Sequence, residues 1–181
     1  MKKISLIGCG EVGRCYVQAL AQAGHTLVAL CDQRPDDWVR ESDLVISAVF
    51  GGGTLDTATR ALPLMKEGAI YADFTTATPA HMQETAALAQ KLNIGFVDVA
   101  ILGTISATHS LTALICAGRQ AEEAQQILST LGTPVKVMST HAGNAATLKL
   151  IRSILTKGLE ALSVECLPRN KRGCALPYMT Y

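Results

Sequence analysis

Short runs of consecutive apolar residues alternate with runs in which apolar residues recur every three or four positions. The first kind predicts strands at Lys3–Gly8, Thr26–Cys31, Asp43–Phe50, Ala69–Phe74, Ile94–Ala100, Leu111–Ala117 and Val135–Met138. The second predicts helices at Glu11–Ala23, Thr54–Met65, Pro79–Leu92 and Glu122–Leu131. In the first of these, Val12, Tyr16, Val17 and Leu20 share a side. Pro79 suits a first helical position, and Gly132 suits a helix end. Strands that are apolar throughout are buried on both faces, so the alternation predicts an α/β fold with a doubly wound, mostly parallel sheet.

The pattern changes near Ala145. Ala145–Leu167 reads as one long helix in which Leu148, Ile151, Ile154, Leu155, Leu159 and Leu162 cover more than half of the circumference. Lys149, Arg152, Ser153, Thr156 and Glu160 form a polar stripe along it. Pro168 ends it, and the remaining residues show no clear period. The expected organisation is therefore a sheet domain over 1–143, a long helix over 144–167 and an irregular tail over 168–181. So much apolar helix surface is expected to be covered by a second copy, as a homodimer.

Composition narrows the class. The 181 residues are 49% hydrophobic and 17% charged, with a formal net charge of +1. That fits a globular chain and leaves no strong field for nucleic acid or an anionic membrane. No run reaches the ~18 apolar residues of a membrane-spanning helix. Six scattered cysteines, without a CxxC pair or metal-like histidine spacing, are expected as free thiols in the cytoplasm, with no metal site.

The chemistry begins at Gly8-Cys9-Gly10-Glu11-Val12-Gly13, a GxGxxG between the first strand and the first helix. In that context Gly8 makes the turn, Gly10 lets a pyrophosphate approach, and Gly13 lets helix and strand pack. Backbone N–H groups at Glu11 and Val12 open a helix toward the anion. This is a Rossmann-like dinucleotide site, for NAD or NADP. Asp32 ends the second strand, nineteen positions past Gly13, where a carboxylate accepts ribose hydroxyls and repels a 2′-phosphate. Asp32 favours NAD; Arg34 leaves NADP open. Val49, Phe50 and the following Gly51-Gly52-Gly53 are expected along the cofactor, as are Thr75 and Thr76. A helix cap before Pro79 is the plainer reading of the threonines.

Several segments together resemble the β-hydroxyacid dehydrogenase superfamily, the group of 3-hydroxyisobutyrate and 6-phosphogluconate dehydrogenases. They are the GxGxxG, Asp73-Phe74-Thr75-Thr76-Ala77-Thr78-Pro79, Phe96-Val97-Asp98-Val99-Ala100-Ile101-Leu102-Gly103, and Gly143-Asn144-Ala145-Ala146-Thr147-Leu148-Lys149. The resemblance extends to about Leu167. It is strongest to a phosphogluconate dehydrogenase-like branch with a C-terminal domain of unknown function. It implies an NAD(P)-dependent oxidoreductase acting on a small hydroxy acid. Lys149 would be the catalytic acid/base, Gly103, Arg152 and Ser153 would bind substrate, and a helical C-terminal domain is expected to be truncated here. Leu102 replaces the family's substrate-binding serine, Ala145 a motif glycine, and Ser153 an asparagine.

Lysine can move the alcohol's proton once burial or a nearby cation lowers its pKa. A lysine stretching over apolar neighbours to water is the alternative for Lys149, and a solvated helix face the alternative for Arg152 and Ser153. A second functional reading is a truncated, catalytically impaired Rossmann protein that binds nucleotide only. His25, His81, His109 and His141 show no pairing and are expected as loop or surface residues.

Overall fold

The computed structural model of the chain describes residues 1–31 and 37–167; Asp32, Arg34 and the tail from Pro168 lie outside the described residues. Among the described residues, seven strands form one sheet: β1 (Lys3–Ile7), β2 (Thr26–Cys31), β3 (Leu44–Ser47), β4 (Ile70–Asp73), β5 (Gly95–Ile101), β6 (Leu114–Ala117) and β7 (Val135–Ser139). Their order is β2-β1-β3-β4-β5-β6-β7. The helices are α1 (Glu11–Gln22), α2 (Thr54–Ala61), α3 (Pro79–Lys91), α4 (Ile105–Thr108), α5 (Ala121–Ser129) and α6 (Asn144–Cys166).

Strands β1 to β5 pair in parallel. From β1 the chain passes to β2 on one side and then to β3 on the other. Strand order therefore reverses at β1, and the crevice at the carboxyl ends of β1 and β3 is where such sheets take ligands. β6 runs antiparallel to β5, and β7 parallel to β6. The cause is local: between β5 and β6 lie only the four-residue α4 and a 3₁₀ turn at His109–Leu111. A crossover to a parallel strand needs a longer covering helix.

Two other expectations shift for physical reasons. The run expected as a strand from Leu111 becomes one only at Leu114, because Leu111 sits in that turn, largely exposed. The helix expected to reach Met65 ends at Ala61. Leu62–Leu64 tightens into a 3₁₀ turn around Pro63, which lacks the N–H a continuing helix needs.

The sheet is buried on both faces. One face packs Leu6, Ile46, Ala72 and Val97 against Tyr16 and Leu20 of α1 and Leu128 of α5, and Tyr16 meets Phe74 edge-to-face at 5.1 Å. The other packs Ile7, Val45, Tyr71 and Phe96 against α2, α3 and Ala146 in the first turn of α6. Every residue of β3, β4 and β5 is buried, which is why these strands read as largely apolar runs, interrupted by Ser47, Asp73 and Asp98.

Contacts divide the chain into a unit from Met1 to Lys149 and a second beginning at Leu150. The described residues of the second unit are the rest of α6 and Leu167; Leu150, Ile151, Ile154, Leu155, Leu159 and Leu162 among them are all exposed. No helix among the described residues is long and apolar enough to cross a membrane.

Candidate functional site

The glycine turn joins β1 to α1. Gly8 has φ +108°, and a Cβ there would lie 2.5 Å from the carbonyl oxygen of Ala48. A Cβ on Gly13 would run into the carbonyl of Gly8. Both glycines are thus dictated by the fold. Gly10 is different: it is exposed, and a Cβ on it would meet nothing within 4 Å. Among the described residues nothing in the packing requires glycine at that position, so a requirement for it would come from a ligand brought against the backbone. Gly10 is also the N-cap of α1, and no side chain caps that helix. Its first N–H groups and the positive end of its dipole are available to an anion, which is what a pyrophosphate needs. Glu11 in the first turn is exposed, and Val12 packs partly against the core.

The loops after β3 and β4 leave the same edge of the sheet. Val49 is half-buried and Phe50 is 70% exposed, an unusual amount for a phenylalanine. Gly51–Gly53 forms a 3₁₀ turn pressed against the neighbouring loop, since a Cβ on Gly51 would lie 2.9 Å from the Thr76 carbonyl oxygen. Thr75 is buried and its hydroxyl is engaged inside the protein, 2.8 Å from Thr54 Oγ1 and 3.3 Å from the Ala77 N–H it accepts. Asp73 Oδ1 accepts the Thr75 N–H at 2.8 Å. Thr75 therefore shapes the turn, whereas Thr76 is exposed. The cap before Pro79 is Thr78, whose Oγ1 accepts the His81 N–H at 3.3 Å.

Lys149 stands in the second turn of α6, half-buried. Burial lowers its pKa, and the negative charge of Asp98 partly restores it. Asp98 lies within β5 and is 1% exposed. Its Oδ2 accepts the N–H groups of Gly143 and Ala146, both at 3.0 Å, at the start of α6. Gly143 reaches this position with φ +91°, and a Cβ there would lie 2.9 Å from the Pro79 carbonyl oxygen. Burial raises the Asp98 pKa, and these N–H bonds and Lys149 oppose that. In the neighbouring strand Asp73 is fully buried and pushed up to about 6, by burial foremost.

Gly103 is exposed just beyond β5. Leu102 packs with Ala100, Ala117 and Ala145 in one small apolar cluster. Two of the three departures from the resembled motifs, Leu102 and Ala145, thus meet in the same place. Arg152 and Ser153 belong to the second unit, Arg152 exposed and Ser153 partly so. His25 bonds Thr130 Oγ1 at 2.7 Å, away from the glycine turn. Sequence reasoning had not singled out Asp98 or Thr54. A carboxylate inside an otherwise apolar strand run was the available signal for Asp98, because a buried charge requires partners.

Residues 29–143 match the NAD binding domain of 6-phosphogluconate dehydrogenase. An uncharacterized 28.5 kDa protein of Methanothermus fervidus is 35% identical over 138 residues, 76% of this chain and 52% of that protein. The chain thus spans about half the length of that relative. Among solved structures, a conserved protein of unknown function, described as structurally similar to 3-hydroxyacid dehydrogenases, shares 28% identity at a TM-score of 0.81. The match covers 91% of this chain and 68% of that one. A 3-hydroxyisobutyrate dehydrogenase of Mycobacterium tuberculosis shares the fold at a TM-score of 0.83 and 18% identity, over 92% of this chain and 64% of that one. The sheet order, the glycine turn and the match over 29–143 lead to one assignment: the chain belongs to the family of the NAD binding domain of 6-phosphogluconate dehydrogenase.

Proposed function

We propose that this protein is an NAD-dependent oxidoreductase acting on a small hydroxy acid, with Lys149 as general acid/base. The observation that carries the reading is Lys149 itself. It is a half-buried lysine with a lowered pKa, held in the same unit as the glycine turn. The dinucleotide would lie over Gly8, Gly10 and Gly13, with Val49, Phe50 and Thr76 along it and Asp32 at the adenosine ribose. When bound, the nicotinamide supplies the acceptor or donor of hydride. Neutral Lys149 Nζ takes the hydroxyl proton in the oxidative direction and returns it in reverse. Thr75 keeps the loop after β4 in shape, and Gly103, exposed just beyond β5, would offer its backbone to substrate. Asp32 argues for NAD over NADP. We place the protein in the cytoplasm and expect it to self-associate through the exposed face of α6.

A second reading, nucleotide binding without turnover, is favoured by Leu102. Where the resembled family has a hydroxyl, this chain has an isobutyl group packed into an apolar cluster. The test is NADH formation from NAD⁺ over a panel of small hydroxy acids, for the wild type and Lys149→Met. Turnover that Lys149→Met lowers by about two orders of magnitude or more supports the first reading. Cofactor binding with no turnover on any acid supports the second.

A further inference from the structure

The buried carboxylate of Asp98 is not arranged to meet a substrate. It is 1% exposed, its Oδ2 is taken by two backbone N–H groups of α6, and its Oδ1 has no hydrogen-bond partner among the described residues. Small apolar side chains surround it: Ala117 is its partner across β6, Ala100 follows on the same face, and Ala145 packs on both. A buried carboxylate is costly unless something uses its charge. The N–H groups it holds belong to the turn that precedes Lys149 on the same helix, and the helix start is a favourable place for a negative charge.

We propose that Asp98 is the positioning residue for Lys149: by accepting the N–H groups of Gly143 and Ala146 it clamps the start of α6 onto β5, three residues before the lysine. Its negative charge opposes the lowering of the Lys149 pKa by burial. This rests on the proposed role of Lys149, but it concerns a pair of residues that can be observed without turnover. Among the described residues, the titratable groups around Asp98 are Asp73, its in-register neighbour on β4, Cys116 on β6 and Lys149 itself. Tyr71 lies beyond Asp73 on the same strand face. In-register neighbours on adjacent strands are about 4.8 Å apart with side chains on one face, so Asp73 has to be separated from Asp98 in any test.

The experiment is nuclear magnetic resonance of the full chain with its lysines reductively ¹³C-dimethylated, the Lys149 signal being assigned by its loss in Lys149→Arg. In Asp98→Asn the side-chain oxygen can still accept N–H bonds while the charge is gone. The Lys149 titration midpoint is expected to fall by about one pH unit, the size usual for removing a close opposite charge. In the wild type, and equally in Asp73→Asn, the Lys149 signal is expected to show a second inflection in acid as Asp98 takes its proton. An unmoved midpoint in Asp98→Asn overturns the proposal. So does an acid inflection that is absent, or that vanishes in Asp73→Asn, and this holds even if Asp98→Asn does not fold. Where a hydroxy acid is turned over, Asp98→Asn is expected to displace the pH profile of kcat and leave KM nearly unchanged. If Lys149→Met keeps full turnover while the titrations behave as described, the catalytic reading fails and the positioning of Lys149 by Asp98 stands.

Discussion

The hydroxyls of Thr54 and Thr75 lie 2.8 Å apart, both buried, and tie the first residue of α2 to the turn after β4. The two loops that leave β3 and β4 are thereby locked together beside the glycine turn. Thr75→Val keeps the shape but leaves the Thr54 hydroxyl and the Ala77 N–H without this partner. A loss of about 1–3 kcal/mol of stability is expected, read from urea melts. Thr75→Ser is expected to recover most of it. An unchanged midpoint in Thr75→Val would show that the contact contributes nothing.

Asp73 gives a pH signature. Its folded pKa of about 6 is raised from 3.8, chiefly by burial, with Asp98 adding to the rise and the hydrogen bonds from Thr75 opposing it. Between those values the folded chain holds a proton that the unfolded chain has released. Stability from this group is present below pH ~4 and declines as pH rises through ~6. Asp73→Asn lacks this decline. Its stability relative to wild type is expected to improve between pH 4 and 7.5 by up to about 3 kcal/mol. A difference between the two proteins that does not vary with pH would contradict the assignment.

Much of this arrangement was legible before the structure. The largely apolar runs of β3, β4 and β5 announced strands buried on both faces, and the GxGxxG lay between a strand and a helix as its chemistry requires. Element ends were less legible. Leu111 is as apolar as the strand residues after it, yet a 3₁₀ turn holds it outside. The antiparallel β6 depends on how little helix fits between β5 and β6, which periodicity does not report. Asp98 was legible as a carboxylate inside an apolar run and as part of a motif resembling a substrate-binding segment, but not as the partner of α6. Its bonds to Gly143 and Ala146 span more than forty residues, so local spacing could not show them. Thr75 was expected along the cofactor, and its hydroxyl is committed to Thr54 instead of facing outward.

The proposed preference for NAD rests on Asp32, which lies outside the described residues. NADH is expected to bind more tightly than NADPH, and Asp32→Ala is expected to narrow the gap by removing both the ribose acceptor and the repulsion of a 2′-phosphate. Titration of both cofactors into both proteins measures this. Tighter NADPH binding by the wild type would mean that Arg34 governs the choice.

The exposed face of α6 bears on assembly. Ile151, Ile154, Leu155, Leu159 and Leu162 are each 58–69% exposed in the single chain. Covering each such side chain is worth roughly 1.5–3 kcal/mol at full burial. A concentration-dependent dimer is expected in sedimentation equilibrium, and Ile154→Glu or Leu159→Glu is expected to weaken it strongly. A monomer at all accessible concentrations, indifferent to both substitutions, would rule this out.

The dinucleotide site is tested most directly at Gly10, where the fold itself has no need of glycine. Calorimetric titration of NADH into the wild type and into Gly10→Val is the measurement, with circular dichroism and thermal melts to compare the two folds. Among the described residues a Cβ at Gly10 meets no neighbouring atom within 4 Å, so the variant is expected to fold as the wild type does. Saturable NADH binding is expected in the wild type and is expected to be lost in Gly10→Val, whose side chain fills the space a pyrophosphate would take. Equal NADH affinity in a folded Gly10→Val, or no binding by the wild type, would contradict the assignment of this turn as a dinucleotide site.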